Sequence, residues 1–355
     1  MSCVVFADIA DHPGRRTARK TCSMPAVSVI MPVFNAAAFL QGAVTSVLQQ
    51  TLQDLELVIV NDGSTDQSPA ILDAFKDPRV RVLHQNNAGQ SAAINRGVHA
   101  SHGDFIKIVD ADDWLNPPHL MAQLNSLGQA PNCVSACRWG YFHQAVQCPA
   151  VLAESTDRDY SDPLSWIVDS LTLDEGMMGG WKWLIPRAVW DRSGGYDERL
   201  SLNNDFHASI AILLASNGVR FAPEAVYSYR KGVTGALSGT RSRRSMESAL
   251  LTTQLGCELL LQRQDSTKIR RICGNRFRRW AYDFFPEHPD LAETAEQRAQ
   301  ELGHDHVPFP GGRLAQSLAG LLGWRTVRKL QHWGGSMGLQ YLRKRRAAQK
   351  LARLN

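Results

Sequence analysis

Three carboxylates that follow one apolar run suit the binding of a divalent cation. Asp110, Asp112 and Asp113 lie within four residues, directly after the apolar stretch 105–109. Asp110 and Asp112 are alternate residues, so their carboxylates can converge on one point. Carboxylate oxygens are preferred ligands of hard cations that also contact phosphate. Mg²⁺ or Mn²⁺ therefore fits this cluster, and Zn²⁺ does not, because no soft ligand is nearby in the sequence.

Apolar runs that alternate with amphipathic segments predict the sheet that positions these carboxylates. Continuous apolar runs are typical of strands buried on both faces, and apolar residues at helical spacing predict the intervening helices. Strands are predicted at 27–33, 55–60, 80–83 and 105–109, and helices at 36–50, 68–76 and 89–100. Asn35 is predicted to cap the first helix. This alternation is typical of an α/β fold with a parallel sheet.

Polar clusters follow three of the four predicted strands, at 32–35, 61–66 and 110–113. In open α/β sheets, ligands bind beyond the carboxyl ends of the strands. Because all three clusters lie at such ends, we expect them to form one site. No GxGxxG follows the first strand, which argues against a dinucleotide-dependent enzyme.

Four sequence segments in a fixed order carry a family resemblance. They read VSVIMPVFN at 27–35, LELVIVNDGSTD at 55–66, NNAGQSAAINRG at 86–97 and FIKIVDADDWLNP at 105–117. Together they closely resemble family 2 of the glycosyltransferases, and a weaker match continues through 179–230. The resemblance implies the GT-A fold of nucleotide-diphospho-sugar transferases, a Rossmann-like, mostly parallel sheet flanked by helices. It also implies an inverting transferase that uses a nucleotide sugar as co-substrate.

The resemblance assigns the first two clusters to the nucleotide. Pro32, Phe34 and Asn35 would lie at the nucleotide pocket, and Phe34 stands where the family commonly has Tyr. Asp62 matches the residue that recognises the base, usually uracil. A carboxylate can accept a hydrogen bond from the uracil N3–H, so this role is chemically sensible. The alternative for Asp62 is a turn residue before a glycine.

The resemblance gives roles to the third segment and to the acidic cluster as well. Asn87, Gly89 and Asn95 would shape the loop beside the nucleotide, and Ile94 replaces a frequent Arg. The donor-binding positions of the fourth segment are Asp110 and Ala111. Asp110 and Asp112 would hold the metal diphosphate, with Asp112 as the direct ligand and Asp113 as a possible supporting residue.

A later acidic residue matches the catalytic base of the family. Asp205 opens a predicted helix over 205–216, and Asn204 replaces the more usual Glu before it. The resemblance implies that Asp205 removes the proton from the acceptor hydroxyl. The alternative is an acidic residue favoured at a helix N-terminus by the macrodipole.

Several aromatic and basic residues have two interpretations each. Trp114, Trp181 and Trp183 are candidates for stacking on sugars or for ordinary packing. Arg230 and Lys231 precede a glycine-rich loop, where they either contact the diphosphate or face solvent. A strand is also predicted at 181–187.

Two other functions stay open beside the transferase. One is a catalytically inactive protein that keeps nucleotide-sugar binding. The substitutions at Phe34, Ile94 and Asn204 leave it open, whereas the retention of all four acidic residues, Asp62, Asp110, Asp112 and Asp205, argues against it. The other is a nucleotidyltransferase on a similar sheet, although no basic glycine-rich phosphate loop is evident early in the chain. A hydroxyl of a glycan or lipid-linked acceptor in cell-surface polysaccharide synthesis is the expected target.

Charge and composition divide the chain. The 44% apolar and 21% charged fractions are those of a globular protein, which excludes disordered and fibrous classes. Ten of the 39 basic residues and none of the 34 acidic ones lie in 311–355, so 1–310 carries a net charge of −5. The predicted parts are a disordered extension 1–24, a GT-A domain 25–235, a helical extension 236–303, a linker 304–312 and basic amphipathic helices 313–355.

The basic C-terminal segment has three interpretations. Amphipathic helices predicted at 314–324 and 341–354 suit an anionic membrane surface, or they pack on the protein body with a solvated charged face. Nucleic acid is not expected, because no recognised binding module accompanies the charge.

The seven irregularly spaced cysteines predict reduced thiols. No signal peptide is evident and Met24 precedes the first strand directly, so we expect a cytoplasmic protein, peripheral on the inner membrane face if the tail binds lipid.

Overall fold

A computed structural model describes residues 24–130, 132–143, 150–173, 177–233 and 239–334. The predicted extension, apart from Met24, and the predicted helix at 341–354 lie outside these residues. The strands are β1 (Val27–Val33), β2 (Leu55–Asp62), β3 (Val80–Gln85), β4 (Phe105–Ile108), β5 (Trp114–Leu115), β6 (Val134–Phe142), β7 (Ala150–Leu152), β8 (Trp183–Pro186) and β9 (Val219–Arg230).

The helices surround these strands and continue beyond them. They are α1 (Ala37–Leu48), α2 (Ser68–Asp73), α3 (Gln90–Ala100), α4 (His119–Leu127), α5 (Pro163–Leu173), α6 (Arg187–Ser193), α7 (Asn204–Ala215), α8 (Arg243–Arg263), α9 (Thr267–Phe284), α10 (Pro289–Leu302), α11 (Arg313–Leu322) and α12 (Trp324–Gly334). A short 3₁₀ turn spans Gly180–Lys182.

The described strands form one sheet in the order β3-β2-β1-β4-β8-β6-β9-β5, and β7 pairs with β6 outside this order. The pairs β1–β2, β2–β3, β1–β4 and β6–β9 are parallel. The pairs β4–β8, β6–β8, β5–β9 and β6–β7 are antiparallel. The predicted α/β fold is confirmed, and the uninterrupted parallel part is its N-terminal half, where β1, β2 and β3 are each followed by a helix.

Strand β1 illustrates why the N-terminal prediction was accurate. All its residues are buried. Ile30 packs in the core on one face of the sheet, while Val29 and Met31 pack in the core on the other. A strand covered on both faces needs apolar residues at every position, so its sequence is a continuous apolar run.

The predicted capping of α1 by Asn35 is wrong. The residue at the N-cap position of α1 makes no side-chain capping hydrogen bond. Asn35 has a left-handed backbone with φ of 51°. The free backbone N–H groups at the start of α1 donate instead to side chains that follow β2. Ala36 N donates to Ser68 Oγ at 3.0 Å, and Ala37 N donates to Asp66 Oδ2 at 3.0 Å. Side chains distant in sequence thus take the capping role.

The helices after β9 extend the core. Residues of α8, α9 and α10 share one apolar cluster with the sheet. The predicted linker 304–312 has no helix or strand, yet Val307 and Phe309 are buried against Tyr282 and Val327. The predicted domain boundaries stay a prediction. Among the described helices, none combines the length and the apolar character needed to cross a bilayer.

Candidate active site

Two polar loops meet at the carboxyl ends of β1 and β2. The Asn35 side-chain oxygen accepts hydrogen bonds from Thr65 N at 2.8 Å and Asp66 N at 3.3 Å, and Asn35 N donates to Ser64 Oγ at 3.0 Å. The structure therefore brings the first two predicted clusters together. Phe34 projects from this edge with 52% of its surface exposed, whereas Pro32 is buried within β1.

Asp62 organises the loop that precedes α3. Its Oδ1 accepts from Gln85 Nε2 at 2.7 Å and from Ala88 N at 2.8 Å, and its Oδ2 accepts from Gly89 N at 2.9 Å. The side chain is buried. A carboxylate has about four lone-pair sites, so one remains for a ligand at this loop.

Close backbone approach shapes the same loop. Gly63 has φ of 72°, and a Cβ added there would lie 2.7 Å from Asn87 N. Gly89 has φ of 95° at the start of α3. Only glycine adopts such conformations without strain. Asn87 is exposed beside these glycines, as a ligand-contacting residue requires.

Asn95 and its neighbour Ile94 do not reach this loop. The Asn95 side chain donates to Tyr196 O at 2.8 Å and accepts from Tyr196 N at 3.0 Å. It therefore holds the loop before α7 rather than the loop of residues 86–89. Ile94 is buried in the core, so a basic phosphate contact is absent at that position.

The acidic cluster lies directly beyond β4 and is closely packed. Ala111 and Asp113 are buried, while Asp110 and Asp112 are partly exposed. Asp110 Oδ1 accepts from Gln90 Nε2 at 3.0 Å. Burial and the charges of Asp112 and Asp205 raise the pKa of Asp110 well above its usual range. Burial likewise raises the pKa of Asp112.

Arg230 connects the end of β9 to this cluster. Its backbone N donates to Asp113 Oδ1 and its Nε donates to Asp112 O, both at 2.7 Å. The guanidinium lies between the rings of Phe39 and Phe142, 4.5 and 4.3 Å from their centroids. Arg230 thus holds the acidic loop in place instead of projecting into a solvated loop.

These residues fit a metal ion that a substrate helps to hold. In the part of the chain that the structure describes, no group of three or more acidic, His or Cys side chains forms a closed metal cage. Mg²⁺ is usually bound by one or two carboxylates together with substrate phosphates and water. Asp110 and Asp112 supply such a pair. Burial raises the pKa of both carboxyls, and the negative charges beside Asp110, which a cation would offset, raise the pKa of Asp110 further.

Asp205 lies at the start of α7 and faces the same edge. Tyr196 Oη donates to Asp205 Oδ1 at 2.7 Å, and the backbone N–H of Gly180 also donates to this carboxylate. A Cβ added to Gly180 would lie 1.9 Å from Tyr196 Oη. Burial raises the pKa of Asp205, against the opposing effect of these two hydrogen bonds. Asp205 is thus placed as a base whose pKa is above that of a solvated carboxylate.

Two amide side chains connect Asp205 to the acidic cluster. Gln90 donates to Asp110, and its Oε1 accepts from Asn204 Nδ2 at 3.3 Å. Asn204 Nδ2 also donates to Ser91 Oγ at 3.1 Å, and Asn204 Oδ1 accepts from Asp205 N at 3.0 Å. Sequence reasoning missed Gln90, Ser91 and Tyr196. The one available signal was Asn204, a departure from the family pattern.

The three candidate tryptophans differ in their burial. Trp181 is buried and stacks on Tyr227, with ring centroids 4.3 Å apart. Trp183 is fully buried, and its Nε1 donates to Ser209 Oγ at 3.1 Å. Trp114 is partly exposed at the start of β5. Packing is therefore the role of Trp181 and Trp183, which leaves Trp114 as the candidate for sugar stacking.

Comparison with known proteins identifies the family. The model of the family described as Glycosyl transferase family 2 matches residues 28–172, which contain the polar loops and the acidic cluster. Residues 28–172 therefore carry a glycosyl transferase family 2 domain. This confirms the resemblance carried by the four sequence segments.

Family 2 relatives cover different shares of the chain. The uncharacterized glycosyltransferase EpsJ of Bacillus subtilis is 28% identical over 224 residues, which are 59% of this chain and 62% of EpsJ. The putative glycosyltransferase EpsH of the same organism is 38% identical over 112 residues, 31% of this chain and 33% of EpsH. The chain thus spans less than two thirds of these relatives.

A solved structure supports the fold. S. aureus TarS 1–349 in complex with UDP-GlcNAc matches with a TM-score of 0.64 and 16% identity, over 87% of this chain and 92% of that one. At this identity, the match shows the fold alone. The GT-A fold expected for a family 2 member is therefore confirmed, together with helices after the sheet.

Proposed function

We propose that the protein is an inverting glycosyltransferase that moves a sugar from a nucleotide-diphosphate donor to an acceptor hydroxyl. One observation carries the proposal: Gln90 and Asn204 connect Asp110, at the end of β4, to Asp205, at the start of α7. A carboxylate for the donor diphosphate and a carboxylate for the acceptor are thus held at one edge of the sheet. Orientation of two reactants in this way lowers the barrier of a bimolecular step.

The donor is proposed to be a UDP-sugar. Asn35 and Asp62 organise the two loops beside β1 and β2, and Phe34, Asn87 and Gly89 lie at their exposed edge. The remaining acceptor capacity of Asp62 suits the N3–H of uracil. The UDP-GlcNAc complex of TarS, a protein of the same fold, supports this choice of nucleotide.

Asp110 and Asp112 are proposed to hold Mn²⁺ or Mg²⁺ with the donor diphosphate. When bound, the ion offsets the negative charge that develops on the leaving diphosphate. Arg230 keeps the backbone of the acidic loop in position for this binding. Asp113 supports the loop from its buried side.

Asp205 is proposed to act as the general base. It accepts the proton of the acceptor hydroxyl while that oxygen forms a bond to the anomeric carbon. The bond from the anomeric carbon to the diphosphate breaks on the opposite face, so the configuration inverts and a nucleoside diphosphate leaves. A positioned base typically supplies about 10²–10⁴-fold in rate.

The acceptor is proposed to be a glycan or a lipid-linked glycan in cell-surface polysaccharide synthesis. The C-terminal segment 313–355, which lacks acidic residues, is proposed to contact an anionic membrane surface. This would place the enzyme at the cytoplasmic face of the membrane, where a lipid-linked acceptor is within reach.

A donor screen tests the proposal. Purified full-length protein is incubated with nucleotide sugars and Mn²⁺, and the released nucleotide is identified. We expect nucleoside diphosphate from one class of donor, and loss of release in Asp205→Asn with nucleotide binding retained. Pyrophosphate release would instead indicate a nucleotidyltransferase. Donor binding without turnover by any acceptor mixture would indicate an inactive binding protein.

A further inference from the structure

Helices α11 and α12 expose an unusual number of large apolar side chains. Eight large hydrophobic residues are exposed in the described part of the chain, and five of them lie in these two helices. They are Leu314, Leu321, Leu322, Leu330 and Trp333, and their exposed fractions are 76, 81, 53, 56 and 69%. Apolar side chains concentrated in this way mark an interaction surface.

These two helices form a hairpin, here called the C-terminal hairpin, that is anchored by its other side. Leu318 and Ala319 pack against the cluster of Tyr282, Val307, Phe309 and Val327. The Trp324 ring contacts the Tyr282 and Phe285 rings, with centroids 5.1 and 5.5 Å apart. The exposed leucines therefore lie on helices that pack against the rest of the protein.

The spacing of the exposed residues follows the helix period. Leu314 and Leu321 are seven residues apart on α11, and Leu330 and Trp333 are three residues apart on α12. Residues at these separations lie on the same side of a helix. Each helix thus has an exposed apolar stripe that adjoins its packed side.

The charged residues of the hairpin's own sequence have one sign. Residues 311–355 contain ten Lys and Arg and no acidic residue. Arg325 and Arg328 form ion pairs with Glu296 at 2.6 Å and Asp283 at 3.4 Å. Arg313 and Lys329 are exposed directly beside Leu314 and Leu330.

We infer that the C-terminal hairpin is a membrane-insertion edge whose leucines and Trp333 enter the headgroup boundary of an anionic bilayer. This deepens the proposed function and rests on its lipid-linked acceptor. Basic residues flanking apolar stripes and an aromatic residue suit such a surface. A second copy of the chain, or the basic segment 335–355, would bring like charges together on this face. The apolar stripes also distinguish the hairpin from a tail held by charge alone.

Vesicle flotation with the full-length protein tests the inference. Vesicles of phosphatidylcholine are compared with vesicles that also contain phosphatidylglycerol. The variant Leu321→Gln/Leu330→Gln leaves the net charge unchanged and removes two inserted side chains. We expect about tenfold weaker partition onto anionic vesicles for each leucine removed, because burial of a leucine side chain is worth about 1.5–3 kcal/mol when complete.

Two further variants distinguish insertion of the hairpin from a general effect of exposed apolar residues and from binding by the charge of the tail. Val151→Gln changes another exposed apolar residue, 46% exposed and far from the hairpin in sequence, and should partition like wild type. Replacement of Arg343, Lys344, Arg345 and Arg346 by Gln tests the charge of the tail. If only that replacement weakens binding, while the double leucine variant binds like wild type, insertion by the hairpin is wrong.

Two measurements in vesicle-free buffer complete the test. If the sedimentation coefficient of the protein falls in Leu321→Gln/Leu330→Gln, the stripes join two copies and the inference is overturned. Absence of wild-type binding to any vesicle also overturns it. Nucleotide-sugar turnover in the same buffer should be equal in wild type and variant. Failure of turnover in both would instead count against the proposed function and leave the partition result standing.

Discussion

The Tyr196 hydroxyl donates a 2.7 Å hydrogen bond to Oδ1 of Asp205. Tyr196 is buried, and its backbone is held at both N and O by Asn95. The orientation of the proposed base therefore depends on a residue of α3 and on a loop that precedes α7. Asn95 thus supports the site through the backbone of Tyr196, and not through the nucleotide loop.

Tyr196→Phe should lower turnover and shift its pH dependence. The hydroxyl lowers the pKa of Asp205, which burial raises, so its removal raises that pKa further. A base must be deprotonated to act, and the acidic limb of the kcat profile should therefore move to higher pH. A hydrogen bond to a charged group is worth about 1.5–3 kcal/mol, so kcat should fall about tenfold or more. Tyr282→Phe, remote from the site, is the control, and an unshifted limb in Tyr196→Phe would contradict the role.

Asp112→Ala should remove metal-dependent donor binding. Asp112 is one of two carboxylates proposed to hold the ion, and one carboxylate with substrate phosphates binds Mg²⁺ or Mn²⁺ more weakly. Calorimetry with UDP-sugars in the presence and absence of Mn²⁺ measures the difference. Asp104→Ala, an exposed acidic residue directly before β4, should keep the wild-type metal dependence. Equal metal dependence in wild type and Asp112→Ala would refute the ligand assignment.

Gln90→Leu should break the hydrogen-bonded connection between the acidic cluster, which is proposed to bind the donor, and the start of α7, which carries the proposed base. The substitution leaves Asp110 without its amide donor and Asn204 without one acceptor. We expect a fall of about ten- to a hundredfold in kcat, since misplacement of reacting groups is costly. The nucleotide dissociation constant without metal should change little. Gln41→Leu, an exposed residue of α1, serves as the control, and full activity in Gln90→Leu would mean that the bridge has no catalytic consequence.

The buried ion pair between Lys182 and Glu154 should be important for stability. Both side chains are almost completely inaccessible, and Glu154 also accepts from Trp139 Nε1 at 2.7 Å. Glu154→Gln leaves a buried ammonium without its counter-charge, which typically costs about 3–5 kcal/mol in the free energy of unfolding. Urea denaturation measures the loss. The double variant Glu154→Gln/Lys182→Met should recover part of it, and a double variant no more stable than the single would argue against a charge effect.

Lys107 should make stability rise with pH in the alkaline range. Burial lowers the pKa of its ammonium from 10.5 to about 8, although Nζ donates to Gln123 Oε1 at 2.9 Å and to Trp181 O at 2.6 Å. Between these two values the unfolded chain binds more protons than the folded one, so the contribution of Lys107 to the free energy of unfolding increases with pH. Urea titrations across this window should show the increase in wild type and not in Lys107→Met. Parallel slopes in the two proteins would contradict it.

The apolar runs predicted the parallel half of the sheet because β1, β2 and β4 are buried on both faces and helices follow β1, β2 and β3. β1 was predicted without error, and β2 and β3 extend two residues further than their apolar runs. The strands in the second half of the sheet were harder to predict from the sequence. β6, β8 and β9 pair with strands distant in sequence, and their mixed polar pattern depends on which helices cover them.

The sequence by itself determined the family resemblance, the fold and the three clusters at one edge, since residue type and order carry those signals. Only the tertiary structure decided how the site is assembled. Asn35 serves the loop of Ser64–Asp66 instead of its own helix, Asn204 pairs with Gln90, and Tyr196 holds Asp205. These partners are 9 to 114 residues apart along the chain. Hydrogen bonds between such residues have no periodic pattern, so they exist only once the strands and helices have packed.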